Sequence, residues 1–259
     1  MRRVTPPDRV PRRSFIAGAA ATVAAAACST SSPHTASPTS TTSSSTASST
    51  AAGPAPPSFV SAGAGARQEI ALTFHVSGDR DQAIRILDLV KAHGVPITAF
   101  IVGTWLEANP DLVSRFVDDG HELANHTYTH PAFASLARVE MAKEVTGCRD
   151  LLMRLAGTGG DYFRPSGTSN GIDNPGAGVI DVARAAGYAQ VVGYDVDPAD
   201  YQDPGASTIV QRTVDALRPG SIVSLHFGHA GTIDALPDVF TALDSRGLRP
   251  VVVRELLSQ

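Results

Sequence analysis

From residue 68 onward the sequence alternates short β-rich runs with segments of helical period, and this alternation restricts the fold more than any other feature. Strands separated by long helices pair in parallel, because only a crossover returns the chain to the same edge. Residues 69–76 (EIALTFHV), 96–103 (PITAFIVG), 121–127 (HELANHT), 161–166 (DYFRPS), 189–197 (AQVVGYDVD), 221–227 (SIVSLHF) and 250–256 (PVVVREL) read as strands. Helices are expected over 81–93, within 111–120, and over 137–155, 179–186, 206–217 and 237–246, with Gly94 and Gly120 as stops. About seven such units predict an α/β fold, an incomplete (β/α) barrel of about seven parallel strands. An open doubly wound sheet is the rival.

Both architectures gather ligands at the carboxyl ends of their strands. Chemistry-bearing side chains sit there in this sequence. His75 ends the first strand, His126 and His130 follow the third, and Arg164 ends the fourth. Asp195 and Asp197 end the fifth, and His226 ends the sixth. A purely structural face has no reason to carry that set.

The segment before residue 68 is of another kind. Arg2, Arg3, Arg12 and Arg13 precede an apolar run from Phe15 to Ala27 that ends at Cys28. A basic stretch, a short apolar run and small residues describe an export signal, and the run is too short to span a bilayer comfortably. RRSFIAG (12–18) is similar to a twin-arginine signal, and AAAC (25–28) to a lipobox whose cysteine is acylated. Residues 29–67 are rich in Ser, Thr, Ala and Pro, and such a stretch buries too little apolar surface to order itself. The expected organisation is a signal over 1–28, a spacer over 29–67 and one domain over 68–259, exported and held to the membrane only through Cys28. A monomer is expected. The net charge of −4 gives no electrostatic footprint for nucleic acid. Cys148, the other cysteine, shares a helical face with Met141, Val145 and Leu152 and reads as a buried structural thiol.

Within the domain, NHTYTH (125–130) places His126 and His130 four residues apart, which on a helical or turn-like segment suits a divalent metal. His226 suits a general acid, with Asp197 placed to tune it if the fifth and sixth strands adjoin, while Asp200 is free to cap the following turn. Arg164 is able to orient a carboxylate or balance charge in the pocket.

Together these segments resemble the polysaccharide deacetylases, the NodB-homology carbohydrate esterases. LTFHVSGD (72–79) stands where that family has T-F-D-D, and GHELANHTYTH (120–130) matches its metal-histidine motif. FRPSG (163–167), DPADY (197–201) and SLH (224–226) follow in the family's order as its arginine, D-x-x-D-W and L-x-H motifs. The resemblance implies metal-dependent removal of acetyl groups from a polysaccharide, with zinc the common metal. By position, His126 and His130 would bind the metal and His226 would be the acid. Asp197 would tune that acid, Arg164 would tune the base, and Tyr201 and Leu225 would line the acetate groove.

The first motif departs from the pattern, for His75 and Val76 stand where the family has its base and a metal-binding aspartate. Asp79 as third ligand with His75 as base, or His75 as ligand with Asp79 as base, would restore a site. Alternatively, Asp79 caps the first helix in a capping box with Gln82. The functional expectation is a metal-dependent glycan deacetylase. A catalytically silent glycan binder, or a deacylase with another substrate, are the competing readings.

Overall fold

The computed structural model describes residues 59–168, 171 and 173–258. The expected export signal, Cys28 and residues 29–58 of the expected spacer therefore lie outside the described residues. The elements in chain order are β1 (Phe59–Val60), β2 (Glu69–Val76), α1 (Arg80–Ala92), β3 (Thr98–Ile101), α2 (Gly103–Ala108), α3 (Val113–Asp118), β4 (Glu122–Asn125) and α4 (Arg138–Ala156). They continue with β5 (Tyr162–Phe163), α5 (Ala177–Ala185), β6 (Gln190–Val192), α6 (Ala206–Ala216), β7 (Ile222–His226), α7 (Ala230–Arg246), β8 (Arg249–Pro250) and α8 (Val253–Leu257).

The strands form one sheet in the order β1-β6-β5-β4-β3-β2-β7, every pairing parallel, with β8 added to the start of β2. This is the expected half-barrel rather than a flat doubly wound sheet. Past β6 the chain rejoins β7 through a parallel bridge between Val196 and Val223, which narrows the gap between the two ends.

Alternation along each strand divides the core into two layers. Leu72, Phe74, Val76, Val223 and Leu225 pack outward against α1, α2, α6 and α7. Ala71, Phe100, Ala124, Val192 and Ile222 point inward, where Val251, Val253 and Leu256 meet them. The inner layer is a filled core, and the chemistry-bearing strand-end side chains His75 and His226 lie at the rim above it.

Three expectations need correction. The domain does not start at 68: Phe59 and Val60 pair with Val191 and Val192, and the Gly63 amide donates to the Gly220 carbonyl at 2.7 Å. A two-residue strand carries too little pattern to stand out from a Ser- and Pro-rich neighbourhood. Residues 250–256 are not a strand, because only Arg249 and Pro250 pair with β2 before the chain turns into α8. The Val253 amide donates to Thr98 Oγ1 at 2.9 Å, so that α8 closes the amino-terminal end of the barrel, and burial overrides the strand preference of Val251–Val253. The last long helix starts seven residues before the expected 237, with Pro237 inside it rather than at its start.

Candidate active site

The register of β2 against β7 sets His75, the last residue but one of β2, directly beside His226, the last of β7, both facing inward. His75 Nδ1 lies 2.8 Å from His226 Nε2. On its other side His75 Nε2 lies 3.0 Å from Arg164 Nη1. His226 Nδ1 in turn lies 2.7 Å from Asp200 Oδ1. Protons can be assigned along this row, since a guanidinium only donates and a carboxylate only accepts. His75 accepts from Arg164 at Nε2 and donates from Nδ1 to His226, and His226 donates from Nδ1 to Asp200. The result is a one-way chain, Arg164 to His75 to His226 to Asp200, with both imidazoles neutral.

Each end of the chain is held tightly. Arg164 is fully buried, and its Nε and Nη2 donate to the carbonyls of Val192 and Gly193 at 2.9 and 2.7 Å. Its Nη1 also donates to Thr73 Oγ1 at 2.9 Å, and the guanidinium carbon lies 3.8 Å from the Phe100 ring centroid. Burial pulls the Arg164 pKa down to about 9. Asp200, also fully buried, accepts the His226 amide at 2.8 Å and the Thr232 hydroxyl at 2.7 Å. Burial holds His75 well below the usual imidazole value, and His126, His226 and Arg164 push the same way.

His126 follows β4 and stacks on His75, centroids 4.2 Å apart and rings 24° from parallel. Its Nδ1–H donates to the Arg164 carbonyl at 2.9 Å, and its buried Nε2 has no hydrogen-bond partner. His130 is exposed, its ring centroid 5.0 Å from that of His126. The two are not on a helix. Thr127 and His130 both take left-handed backbone, φ 70° and 60°, which L-residues adopt only where the surroundings enforce it. Glu144 of α4 does the enforcing, accepting the amides of Tyr128 and Thr129 at 2.9 and 2.7 Å.

Five of the expected site residues converge: His75, Arg164 and His226 in the chain, with His126 stacked beside it and His130 adjoining. Asp197 makes no hydrogen bond to His226 and acts on it only as a nearby charge. It is exposed and accepts the Ala199 amide at 2.8 Å, while Asp200 takes the tuning position. Leu225 is 1 % exposed and faces the helices, so it lines no groove. Tyr201 stands over the mouth, half exposed, its ring 5.2 Å from that of His226. Asp195 is structural, accepting the Ile222 amide at 2.6 Å and pairing with Arg218 at 2.9 Å. Cys148 is buried as expected, its thiol pushed up to about 12. Thr73, Thr232 and Glu144 were not singled out in the sequence. Thr73 was within reach, since it precedes His75 by two residues and so shares its face.

The family metal does not fit these residues. His126 is prepared for one, because a carbonyl on Nδ1 leaves a free Nε2 lone pair. The third donor fails on each count. Val76 packs in the outer core, Asp79 accepts the Gln82 amide at 2.9 Å as the cap of α1, and both nitrogens of His75 are taken. Among the described residues no three His, Cys, Asp or Glu side chains group to hold a metal ion. A catalytic zinc site uses three protein ligands.

The family model described as polysaccharide deacetylase matches residues 62–191. The peptidoglycan-N-acetylglucosamine deacetylase of Bacillus cereus is 30 % identical over 203 residues, 76 % of this chain and 70 % of that protein. The chitooligosaccharide deacetylase of Sinorhizobium fredii is 31 % identical over 210 residues, 75 % of this chain and 93 % of that one. Among solved structures, the Bc1960 peptidoglycan N-acetylglucosamine deacetylase superposes with a TM-score of 0.72 at 28 % identity, covering 78 % of this chain and 94 % of that one. A CE4 family pseudoenzyme from Bacillus anthracis, BA3943, gives 0.70 at 25 % identity, covering 76 % and 68 %. A mutant of that pseudoenzyme has restored enzymatic activity.

Proposed function

The chain belongs to the polysaccharide deacetylase family of hydrolases, and on that premise we propose that it removes acetyl groups from an N-acetylated glycan of the cell envelope, with His226 moving the proton. The observation that carries this reading is the His226–Asp200 pair at the rim, 2.7 Å apart, beneath the half-exposed Tyr201.

Asp200 fixes the proton of His226 on Nδ1, which leaves Nε2 as the basic atom. When water displaces His75 from that nitrogen, Nε2 takes a proton as the water oxygen attacks the acetyl carbonyl. The Asp200 carboxylate stabilises the imidazolium that forms. His226 then returns the proton to the leaving amine, so that acetate and a free amino sugar depart. One imidazole serves as base and then acid, since His75 has no free lone pair. No step of this sequence passes through a metal. Peptidoglycan and chitin-like oligosaccharides are the substrate classes, by analogy with the relatives' names. The location, outside the cytoplasmic membrane and anchored at Cys28, rests on the leader sequence alone.

A second reading is favoured by Val76 and by the likeness to a family pseudoenzyme: the cleft binds glycan without turnover. Acetate release from N-acetylated chitooligosaccharides and peptidoglycan by the full chain separates the two. Release that is lost in His226→Ala supports the hydrolase. Glycan binding with release no greater than in that variant rejects it in favour of the binder.

A further inference from the structure

Two adjacent residues alter the rim: Val76, packed in the outer core, removes the family's metal ligand, and the imidazole at position 75, where the family has its base, closes the hydrogen-bond chain. Arg164 is buried with no carboxylate among its four hydrogen-bond acceptors, which are two carbonyls, the Thr73 hydroxyl and His75. A buried guanidinium with no carboxylate bonded to it, and Asp197 acting on it only from a distance, makes this rim unfavourable for a further cation. His75 uses both nitrogens, so it satisfies Arg164 and reaches His226 at once. Stacked flat on His126 and 7 % exposed, it has no room to turn without losing all three contacts.

We propose that His75 is a positioning residue that lets this site dispense with a resident metal, by coupling the Arg164 guanidinium through a neutral imidazole to Nε2 of His226. The side chain does for the rim what an ion with its aspartate ligand would do. Until water takes over the Nε2 contact, it holds the acid–base histidine in the tautomer whose Nε2 is basic, and it spans the distance to the buried arginine. The catalytic part of this proposal rests on the hydrolytic reading above; the structural part does not.

Glutamine can replace His75 in kind, its carbonyl accepting from Arg164 and its amide donating to His226, whereas phenylalanine keeps the stacking and loses both bonds. The test uses the full chain with 15N-labelled histidine. The expected result is a His75 ring protonated at Nδ1 and a scalar 15N–15N coupling across its hydrogen bond to His226. Zinc should be far below one equivalent after purification, and neither added zinc nor chelator should move the melting temperature. In acetate release, His75→Phe should lower kcat by about a hundredfold with KM little changed, while His75→Gln stays within about tenfold of the parent. A His75 proton on Nε2, or one zinc per chain that survives dialysis and is lost in His126→Ala, would overturn the proposal. Equal losses in both position-75 variants would reduce His75 to packing. Absence of acetate release from the unsubstituted chain would instead sink the hydrolytic reading, while the coupling and the zinc content still decide this one.

Discussion

Asp200 holds His226 at two points: Oδ2 accepts its backbone amide at 2.8 Å and Oδ1 accepts its Nδ1–H at 2.7 Å. The double grip fixes both the position of the strand end and the orientation of the ring. A carboxylate that served only as a charge would need neither.

Replacing Asp200 by asparagine should therefore cost far more than replacing Asp197. An amide nitrogen facing Nδ1 moves the ring proton to Nε2 and removes the basic atom from the cleft. We expect kcat/KM for acetate release to fall about a hundredfold or more in Asp200→Asn and by less than about threefold in Asp197→Asn. Equal losses in the two variants would restore Asp197 to the tuning role.

Arg164 carries the inner wall of the site. Arg164→Met leaves the Val192 and Gly193 carbonyls and the His75 Nε2 without their donor. The destabilisation expected from urea unfolding is about 3 kcal/mol, with Arg164→Lys recovering little of it because an ammonium cannot make the fork. An unchanged unfolding midpoint in Arg164→Met would show that the network contributes nothing to stability.

Acid should loosen the fold earlier than the surface charges suggest. Burial depresses the imidazoles of His75, His126 and His121 below their ordinary value. His75 faces His126, His226, His130 and Arg164, all of which oppose its protonation, whereas Asp119 partly offsets the shift at His121. The unfolded chain therefore binds these protons first. Stability should be level above about pH 6.5 and fall below it, by up to about 1.4 kcal/mol per pH unit for each histidine. Urea midpoints that are equal at about pH 7.5 and about pH 5.5 would contradict the burial of neutral imidazoles.

Tyr201 sits over His226 with 45 % of its surface exposed, so its removal should be felt by ligand and not by fold. Tyr201→Ala should raise KM by about tenfold, the equivalent of about 1.4 kcal/mol of contact, with the melting temperature unchanged. Tyr201→Phe should behave as the parent, unless the hydroxyl itself binds the sugar.

The sequence by itself determined the architecture and the end of it that carries chemistry. Alternating periods require parallel crossovers, and period two along β2 and β7 puts Thr73, His75 and His226 on one face. The same rule assigns Leu225 and Val76 to the helix side, where they are found. Family analogy had placed Leu225 in the groove, and there the local pattern was the better guide. Tertiary structure decided the partners. His75 meets Arg164 across 89 positions and His226 across 151, while Asp200 reaches His226 from a turn whose left-handed Ala199 and Asp203 follow no period. Periodicity fixes which face a residue occupies, to about the 4.8 Å spacing of neighbouring strands. A hydrogen bond is decided within a few tenths of an ångström. Between Asp197 and Asp200, and between a base and a bridge at position 75, only packing of the whole barrel supplies that last distance.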